Sequence, residues 1–564
     1  MFANEPKKPA WIVSTGACLV IALALIAISI AQRLWFLIDH CPLDLSGDEA
    51  HYWEWSRRLD WSYYSKGPLV AWLIALGRWL LADWSQHLVG NEALAVRIPA
   101  IVLSSLTGLG IYVLSLQTLR RPVLALASLA ITATIPITAA GAILMTIDAP
   151  LACAWAWALV CIHRGLQCDS LAAWMTAGVL IALGTLAKFN MVFIYAVIGL
   201  FLITEPSLRK QWFKPGPWLA AVVGLAGWLP ILVWNVQHDW VSFRHVAGQA
   251  GVTGKTALDV LGPVEYAAGQ AAVLGPVWFI CLLFAMRFGW TAIPKPEAHS
   301  DDPQPVSDAH EPAWSLRFLA ICTAVPFTVF LIFSLITKIQ PNWPAVGLIA
   351  GAPLLVYWLA TGWVTPALRI RRRWIVGSGI TLGLGASVLA YHTEWLMPAF
   401  QWLVRDARPW ELTPVAKYDP TARLRGWSEL GAAVGEVLKM EKAAGRDPLI
   451  MTDDYQVASE IAFYTPGNPI VTCVQSVLGN RRSQYDIWPN PIRDHDLFTG
   501  KPVIFVGSRH PLLSGERGGR AVLENMRLIR TVEHQVRGAT LQVWAIHLAD
   551  SFAGFPADLR QEKF

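Results

Sequence analysis

The sequence predicts a polytopic α-helical membrane protein that ends in a small α/β domain. The chain has 564 residues, of which 54% are hydrophobic and only 15% charged, whereas soluble domains usually carry about 25% charged residues. Long apolar runs recur as far as Tyr391, and the remaining chain has the composition of a soluble domain. The net charge of +5 is small and spread over loops, so no nucleic-acid partner is predicted.

The apolar runs predict about 11 or more membrane spans by the length rule. The first run, 11–30, follows Lys7 and Lys8. Because it is about 20 residues long and no small-residue cleavage site follows, we expect an uncleaved first helix. The other runs lie near 93–119, 122–140, 149–163, 171–187, 190–204, 218–234, 264–286, 315–336, 343–361 and 374–391.

The basic residues predict how the chain is oriented. One set of alternate loops carries Lys7, Lys8, Arg120, Arg121, Arg164, Arg209, Lys210, Lys214, Arg287, Lys295, Arg317, Arg369, Arg371, Arg372 and Arg373. Outside the first loop, the other set carries only Lys188, Arg244, Lys255 and Lys338. By the positive-inside rule the N-terminus is cytoplasmic, and an odd number of spans places the C-terminal domain outside. In a bacterium this is a multi-pass inner-membrane protein with a periplasmic C-terminal domain.

The same features predict the domain boundaries. The transmembrane part covers 1–391, including a first periplasmic loop at 32–92 and a polar, Pro-rich cytoplasmic linker at 287–314. A juxtamembrane connector at 392–420 leads to a periplasmic α/β domain at 421–550. In that domain we expect a helix at 427–442, buried strands at 448–452 and 502–506, and an edge or half-buried strand at 540–546.

The first outer loop is long for a connector, and long loops in compact proteins are usually functional. Segments 50–59 and 69–81 are rich in Trp and Tyr and predict two amphipathic helices in the membrane interface. Ser46-Gly47-Asp48-Glu49 fits a capping box with Ser46 as N-cap and Glu49 at the third helical position. In that interpretation Asp48 only complements the helix dipole. A functional role for Asp48 is compatible with this cap, because the cap fixes the loop and can leave the side chain of Asp48 pointing into a cavity.

Three more charged residues lie on the same predicted face. Asp148 sits where an outer turn joins two apolar runs, a position that costs free energy unless the acid is paired or lines a wet cavity. We therefore interpret Asp148 as functional. Lys66 and Lys188 lie in outer loops, and for each the alternative is a lysine that merely snorkels to the interface.

These residues lie in motifs that resemble a known family. The motifs are Gly47-Asp48-Glu49-Ala50-His51-Tyr52-Trp53, Tyr63-Tyr64-Ser65-Lys66-Gly67-Pro68, Arg97-Ile98-Pro99, Leu144-Met145-Thr146-Ile147-Asp148-Ala149-Pro150, Ala187-Lys188-Phe189-Asn190 and Lys338-Ile339-Gln340-Pro341-Asn342-Trp343-Pro344. Their order and common membrane face resemble the bacterial lipid-linked-sugar glycosyltransferases of the GT-C superfamily. The branch is the one containing protein O-mannosyltransferases and the aminoarabinose transferase of lipid A. The tail segments Arg423-Leu424-Arg425-Gly426-Trp427 and Gln484-Tyr485-Asp486-Ile487-Trp488 resemble motifs of uncharacterised members.

The resemblance implies a GT-C fold and a polyprenyl-phosphate sugar donor used at the outer face. Asp48 matches the catalytic aspartate, Glu49 its neighbour and Asp148 a second important acid. Lys66 matches a lysine near the donor phosphate, and we expect Arg97 and Lys188 to help there. Further candidates are His51, Tyr64, Lys338 and Asn342.

Two points about the site stay open at this stage. Related lipid A transferases have an acid before the phosphate lysine, where this chain has Ser65, so we expect substrate or metal handling to differ. Some relatives bind a divalent metal, for which Asp48, Asp148 and His51 are candidate ligands together with Glu49, although no tight spacing demands a metal. No other cofactor is predicted.

The expected function is that of an inverting hexosyl- or pentosyltransferase with Asp48 as general base. Its partners would be the donor, membrane lipids and a periplasmic acceptor, which could be lipid A, the lipopolysaccharide core, another glycan or a protein. The alternative is a lipid or glycan transporter or flippase of envelope assembly. That class does not explain the long acidic and aromatic outer loop, and paired interrupted helices typical of transporters are not evident in the sequence. A non-catalytic assembly subunit is a third interpretation.

Overall fold

The computed structural model of the protein describes residues 14–249, 258–291, 313–361, 366–405, 413–507, 510–514 and 522–556. Lys7, Lys8 and most of the linker predicted at 287–314 lie outside the described residues. The helices up to residue 391 are α1 (Thr15–Trp35), α2 (Gly47–Ser56), α3 (Leu69–Val89), α4 (Ala93–Leu119), α5 (Pro122–Thr132), α6 (Pro136–Gly141), α7 (Asp148–Cys168), α8 (Leu171–Ala187), α9 (Phe193–Thr204), α10 (Pro215–Leu225), α11 (Trp228–Gln237), α12 (Val241–Gln249), α13 (Gly262–Leu274), α14 (Pro276–Thr291), α15 (Ala313–Phe333), α16 (Gly347–Thr361) and α17 (Pro366–Tyr391). A π-helical turn, Phe36–His40, extends α1.

The described part of the chain has six helices long and apolar enough to cross a membrane: Thr15–His40, Ala93–Leu119, Asp148–Cys168, Pro215–Gln237, Trp314–Phe333 and Ile370–Tyr391. Helices α13 and α14 meet at 110° and make a seventh span if they are counted together. Gly275, with φ at +85°, and Pro276 cause this break, because only glycine adopts such a φ readily and proline cannot continue the preceding helix. Four shorter apolar helical segments are Pro122–Thr132, Leu171–Ala187, Phe189–Thr204 and Gly347–Thr361.

Each predicted apolar run therefore overlaps helical structure, and the polytopic helical fold is confirmed. The number of 11 spans stays a prediction, since the shorter helices do not by themselves reach membrane length.

Two helices occupy the first outer loop, where two were predicted. Helix α3 leaves a face of Leu76, Trp79 and Leu80 exposed, and Trp79 is 80% exposed, as suits a helix at a membrane interface. Helix α2 differs, because nine of its ten residues are buried and only Asp48 is exposed. It is enclosed because the C-terminal region packs over it.

The C-terminal region contains the remaining helices α18 (Met397–Leu403), α19 (Trp427–Ala443), α20 (Tyr455–Tyr464), α21 (His495–Phe498) and α22 (Pro511–Ser514). Its strands are β1 (Leu449–Thr452), β2 (Val471–Cys473), β3 (Val503–Val506), β4 (Leu523–Glu524), β5 (Arg527–Val536), β6 (Ala539–Ala549) and β7 (Ser551–Phe552). A five-stranded sheet has the order β2-β1-β3-β6-β5, and β4 pairs with β7.

The sheet combines parallel and antiparallel pairs. Strand β1 is parallel to both neighbours, whereas β6 is antiparallel to β3 and β5. The predicted strand at 540–546 is the half-buried β6, which lies inside the sheet. The edge strand beside it is β5, and β2 forms the other edge. Strand β5 is not predicted from the sequence, because most of its side chains are exposed and it lacks an apolar run.

The first outer loop and the C-terminal region share one hydrophobic core. Trp53, Trp55 and Tyr63 of the loop belong to the same buried cluster as Leu430 and Phe463. A Cβ atom on Gly47 would lie 2.6 Å from Cβ of Gln456, so α2 and α20 approach each other so closely that glycine is required there. The loop is thus held between the membrane helices and the tail. The domain boundaries at 392–420 and 421–550 stay predictions.

Candidate functional site

A cavity of about 1620 Å³ lies between the membrane helices and the C-terminal region. One side is apolar and includes Leu25 and Ile28 of α1, together with Ile349 of α16. The other side is polar and includes Asp48 and Lys66. A cavity with this division can hold a molecule that has a long apolar part and a charged head.

Asp48 is placed by the start of α2. Ser46 caps this helix, since its Oγ accepts from the backbone N–H of Glu49 at 3.2 Å and its own N–H donates to Glu49 Oε2 at 2.9 Å. The predicted capping box is therefore present. Asp48 is exposed in the cavity, where its Oδ1 accepts long hydrogen bonds from Gln456 Nε2 at 3.4 Å and from the Tyr455 hydroxyl at 3.5 Å. The carboxylate is thus accessible to another proton donor.

Glu49 lies behind the cavity and does not line it. It is fully buried, and Arg97 binds it at two points, Nε to Oε1 and Nη2 to Oε2, each at 3.1 Å. The N–H of Met145 also donates to Glu49 Oε1 at 2.9 Å. Arg97 donates further to the carbonyl oxygens of Leu43 at 3.2 Å and Asp44 at 2.6 Å. The structure therefore places Glu49 and Arg97 where they tie the loop to α4, and neither residue lines the cavity.

Asp148, Lys188 and Asn342 come together at the cavity. Lys188 Nζ donates to Asp148 Oδ1 at 2.6 Å, and Asn342 Nδ2 donates to Asp148 Oδ2 at 2.7 Å. Lys188 is 6% exposed, so the ion pair with Asp148 offsets part of the cost of burying it. All three residues line the cavity. The Asp148 carboxylate is therefore paired, which offsets the free-energy cost of an acid where an outer turn joins two apolar runs.

Lys66 lies in a turn pressed against α8. Its carbonyl oxygen accepts from the N–H of Tyr63 at 3.1 Å, and a Cβ atom on Gly67 would lie 2.2 Å from the carbonyl oxygen of Leu186. Burial, followed by the nearby charge of Lys188, lowers the pKa of Lys66 to about 8, and Asp48 and Asp148 offset only part of this shift. A lysine in such a place favours a bound anion, because an anion restores the charged form.

His51 and Tyr64 also line the cavity. Nδ1 of His51 lies 3.0 Å from Oγ of Ser459, and burial with the charge of Arg481 lowers its pKa to about 3. The imidazole is therefore neutral. The N–H of Tyr64 donates to Gln484 Oε1 at 2.7 Å. Lys338 is exposed, and it is not among the residues that line this cavity.

The candidate metal ligands do not form a metal site. Within the described ranges, no group of three or more His, Cys, Asp and Glu side chains is placed to hold a metal ion. Asp148 is bound by Lys188 and Asn342, and His51 by Ser459. The residues expected to bind a metal are therefore not arranged to hold one in the described part of the chain.

Residues of the C-terminal region that were not predicted as site residues also line this cavity. Tyr455, Gln456, Arg481 and Arg482 line it from α20 and from the segment before Gln484. In the sequence, Arg481 and Arg482 are separated from the tail motif at Gln484 only by Ser483, but no spacing connects them with Asp48.

Comparisons with known proteins agree with this architecture. Residues 65–234 match the family model described as dolichyl-phosphate-mannose-protein mannosyltransferase. A curated relative, the lipid A galacturonosyltransferase RgtD of Rhizobium johnstonii, is 26% identical over 338 residues, which are 58% of this chain and 64% of that protein. The chain thus matches less than two thirds of the length of this relative.

Two solved structures have the same fold. They are ArnT from Cupriavidus metallidurans in the apo state, with a TM-score of 0.56 and 15% identity, and ArnT from the same organism bound to undecaprenyl phosphate, with a TM-score of 0.56 and 17% identity. Each comparison covers 96% of this chain and 100% of the ArnT chain. The resemblance to GT-C lipid-linked-sugar glycosyltransferases is confirmed, and the chain is an integral membrane protein with a GT-C fold.

Proposed function

We propose that the protein is an inverting glycosyltransferase that moves a sugar from a polyprenyl-phosphate donor to an acceptor at the outer face of the bacterial inner membrane. The observation that carries this proposal is the position of Asp48, the one residue of α2 that is not buried, in the polar half of the cavity. The matched family model, the name of the curated relative and the undecaprenyl phosphate bound to ArnT support it.

The donor fits the division of the cavity into two halves. Its polyprenyl chain lies along the apolar side, which faces the membrane helices, and its phosphate lies near Lys66. The ammonium group stabilises the negative charge that grows on the phosphate as the glycosidic bond breaks. Because a polyprenyl phosphate is already an acidic leaving group, no strong general acid is required.

Asp48 acts as the general base in a single displacement. A hydroxyl or amine of the acceptor attacks the anomeric carbon, Asp48 takes the proton of that group, and the bond from the anomeric carbon to the phosphate oxygen breaks. The polyprenyl phosphate leaves with the bonding electrons, and the anomeric centre is inverted. General-base assistance of this kind usually contributes about 10²–10⁴-fold to the rate.

The other predicted residues have supporting roles in this proposal. Glu49 and Arg97 hold the start of α2, so that Asp48 keeps its direction. Asp148 positions Lys188 and Asn342 at the edge of the cavity through the two short contacts described above. We assign Lys188 and Lys66 to the phosphate end of the donor and leave Lys338 out of the site.

The acceptor that we propose to test first is lipid A, because the curated relative is named as a lipid A galacturonosyltransferase. Other acceptors in the proposal are the lipopolysaccharide core, another glycan or a protein. The N-terminus would be cytoplasmic and the C-terminal region periplasmic, supported by the distribution of basic residues over the loops. The C-terminal region would then overhang the cavity at the outer face of the membrane.

The experiment is sugar transfer by purified protein reconstituted with a polyprenyl-phosphate sugar and lipid A. The Asp48→Asn variant should lose about 10²–10⁴-fold in kcat while binding the donor normally. Near-normal turnover would refute the assignment of Asp48 as base. A deletion strain separates the alternative, because loss of a transferase leaves polyprenyl-phosphate sugar accumulated and a surface sugar missing, whereas loss of a flippase mislocalises an intact substrate.

A further inference from the structure

Arg481 reaches the cavity from the C-terminal region. Its guanidinium lies over the ring of Tyr455, with 4.7 Å between Cζ and the ring centroid. Its Nη2 donates a short hydrogen bond to the hydroxyl oxygen of Tyr455. The same hydroxyl lies 3.5 Å from Oδ1 of Asp48. Tyr455 therefore holds the arginine beside the proposed base.

The charges around the cavity are unbalanced among the described residues. The basic residues in its lining are Arg33, Lys66, Lys188, Arg423, Arg481 and Arg482, and the acids are Asp48, Asp148 and Asp454. Two of these acids are already engaged by the protein, Asp148 by Lys188 and Asp454 by the N–H groups at the start of α20.

The positive charge of Arg481 affects the pKa of two neighbouring groups. It contributes to the lowered pKa of Lys66 and to that of His51, although burial is the larger cause for both groups. Asp48 attracts it, but the contacts that the guanidinium makes in the described part of the chain are with the neutral phenol of Tyr455. Like charges brought together in a partly buried cavity favour the binding of an anion.

We propose that Arg481, oriented by Tyr455, binds an oxyanion of the donor lipid, so that the C-terminal region completes the donor site. This inference rests on the proposed function. A guanidinium presents a planar pair of donors that matches two oxygens of a phosphate or a carboxylate. The oxyanion is therefore either the donor phosphate or a carboxylate carried by the transferred sugar.

The contact with Tyr455 makes Tyr455 a positioning residue. Its ring supports the guanidinium from one face and its hydroxyl fixes one Nη atom, which leaves the remaining N–H groups for a ligand. Replacing Tyr455 by Phe keeps the ring and removes the hydroxyl. This variant should therefore weaken binding less than loss of Arg481 itself.

The test uses full-length protein in lipid nanodiscs. Binding of undecaprenyl phosphate, which carries no sugar, is titrated for the wild type and for Arg481→Gln, Arg481→Lys, Tyr455→Phe and the control Arg530→Gln. Arg530 lies on β5 and pairs at the surface with Glu436 at 2.5 Å, so its loss should leave binding unchanged. Transfer is measured in parallel with a hexosyl donor and a hexuronosyl donor on the same polyprenyl phosphate.

Two outcomes support the proposal and distinguish the source of the oxyanion. If Arg481 binds the phosphate, the Arg481→Gln substitution weakens the binding of undecaprenyl phosphate about tenfold or more. This is the range expected for the loss of a charge-assisted hydrogen bond. If it binds a sugar carboxylate, that affinity is unchanged and kcat/KM falls about tenfold or more for the hexuronosyl donor but not for the hexosyl donor.

The proposal is overturned if Arg481→Gln changes neither quantity. Should that variant be unfolded, as judged by its melting temperature, Arg481→Lys and Tyr455→Phe decide, since each keeps most of the packing. Each variant should lower either the affinity for undecaprenyl phosphate or kcat/KM for the hexuronosyl donor at least about threefold. The reason is that a lysine lacks the planar pair of donors and the Phe variant lacks the hydroxyl contact. If wild-type protein binds undecaprenyl phosphate but transfers no sugar from either donor, the proposed function fails while the binding result for Arg481 stands.

Discussion

Arg97 donates two hydrogen bonds to the buried carboxylate of Glu49, with 3.1 Å between Nε and Oε1 and 3.1 Å between Nη2 and Oε2. Neither side chain is more than 4% exposed. The pair joins the first turn of α2 to α4, which is a membrane span, and thus fixes where Asp48 points. A carboxylate next to a proposed base therefore acts on the geometry of the site, without reaching the cavity itself.

Glu49→Gln should destabilise the protein strongly. Glutamine can still serve the capping box, but it leaves the buried guanidinium of Arg97 without a counter-charge. Removing one partner of a buried ion pair typically lowers the free energy of unfolding by about 3–5 kcal/mol. The measurement is unfolding of the purified protein in detergent.

The matched control for this variant is Glu436→Gln, which removes an exposed acid that pairs with Arg530 at the surface. Surface pairs contribute at most about 1 kcal/mol, so the control should unfold like the wild type. Equal stability of the two variants would contradict the role given to Glu49.

The local part of this arrangement could be predicted from sequence and the distant part could not. Ser46 and Glu49 are three residues apart, and that spacing alone predicts a capping box. Arg97 is 48 residues from Glu49, and nothing in either segment indicates that the two side chains meet. From the sequence we therefore expect Arg97 near the donor phosphate, whereas in the structure its side chain is buried and does not line the cavity.

Gly67→Ala should displace Lys66 and weaken donor binding. The new Cβ would lie 2.2 Å from the carbonyl oxygen of Leu186, and backbone of a packed helix cannot move aside as a flexible side chain can. We expect a loss of about 1–3 kcal/mol in stability, and an increase in the Kd for undecaprenyl phosphate measured by titration. Gly199→Ala is the control, since no atom lies within 4 Å of its new Cβ. If both variants bind equally well, the turn at Gly67 does not position Lys66.

Asp148 and Lys188 should show strong coupling in a double-mutant cycle. Asp148→Asn leaves the charge of Lys188 buried without its partner, whereas the double variant Asp148→Asn with Lys188→Met removes both charges. The double variant should therefore be less destabilised than the sum of the single variants, with a coupling energy of about 0.5–3 kcal/mol. Unfolding in detergent of the four proteins gives this value. Strict additivity would mean that the 2.6 Å contact contributes nothing measurable.

The fold was more predictable than the way its parts meet. Apolar runs located β1, β3 and β6 because buried strands must be apolar along their length or on one face. Strand β5 could not be located in this way because its side chains are largely exposed. The packing of α20 on α2 depends on Gly47, whose role becomes visible only when Gln456 is placed against it. For the same reason Arg481 could not be assigned to the site, since no periodicity or spacing connects it with Asp48.

Donor binding should weaken as the pH rises through about 8. Lys66 carries its charge below its pKa, which burial and Lys188 lower to about 8 in the empty site, so the site loses a positive charge above that pH. The phosphate itself does not titrate in this range, because its second pKa is about 6. We expect the Kd for undecaprenyl phosphate to begin rising above about pH 7, to about double by pH 8 and to rise up to about tenfold at higher pH, the size of one charge-assisted hydrogen bond.

The control that isolates Lys66 in this pH dependence is Lys66→Arg, because a guanidinium stays charged at every pH tested. Its Kd should be independent of pH between about 7 and 9.5 even if its absolute affinity is lower. A bound phosphate favours the charged amine and raises the pKa of Lys66, so the apparent midpoint in the wild type should shift to higher pH as the donor concentration increases. The same alkaline loss in Lys66→Arg would assign the titration to another group and remove Lys66 from the phosphate site.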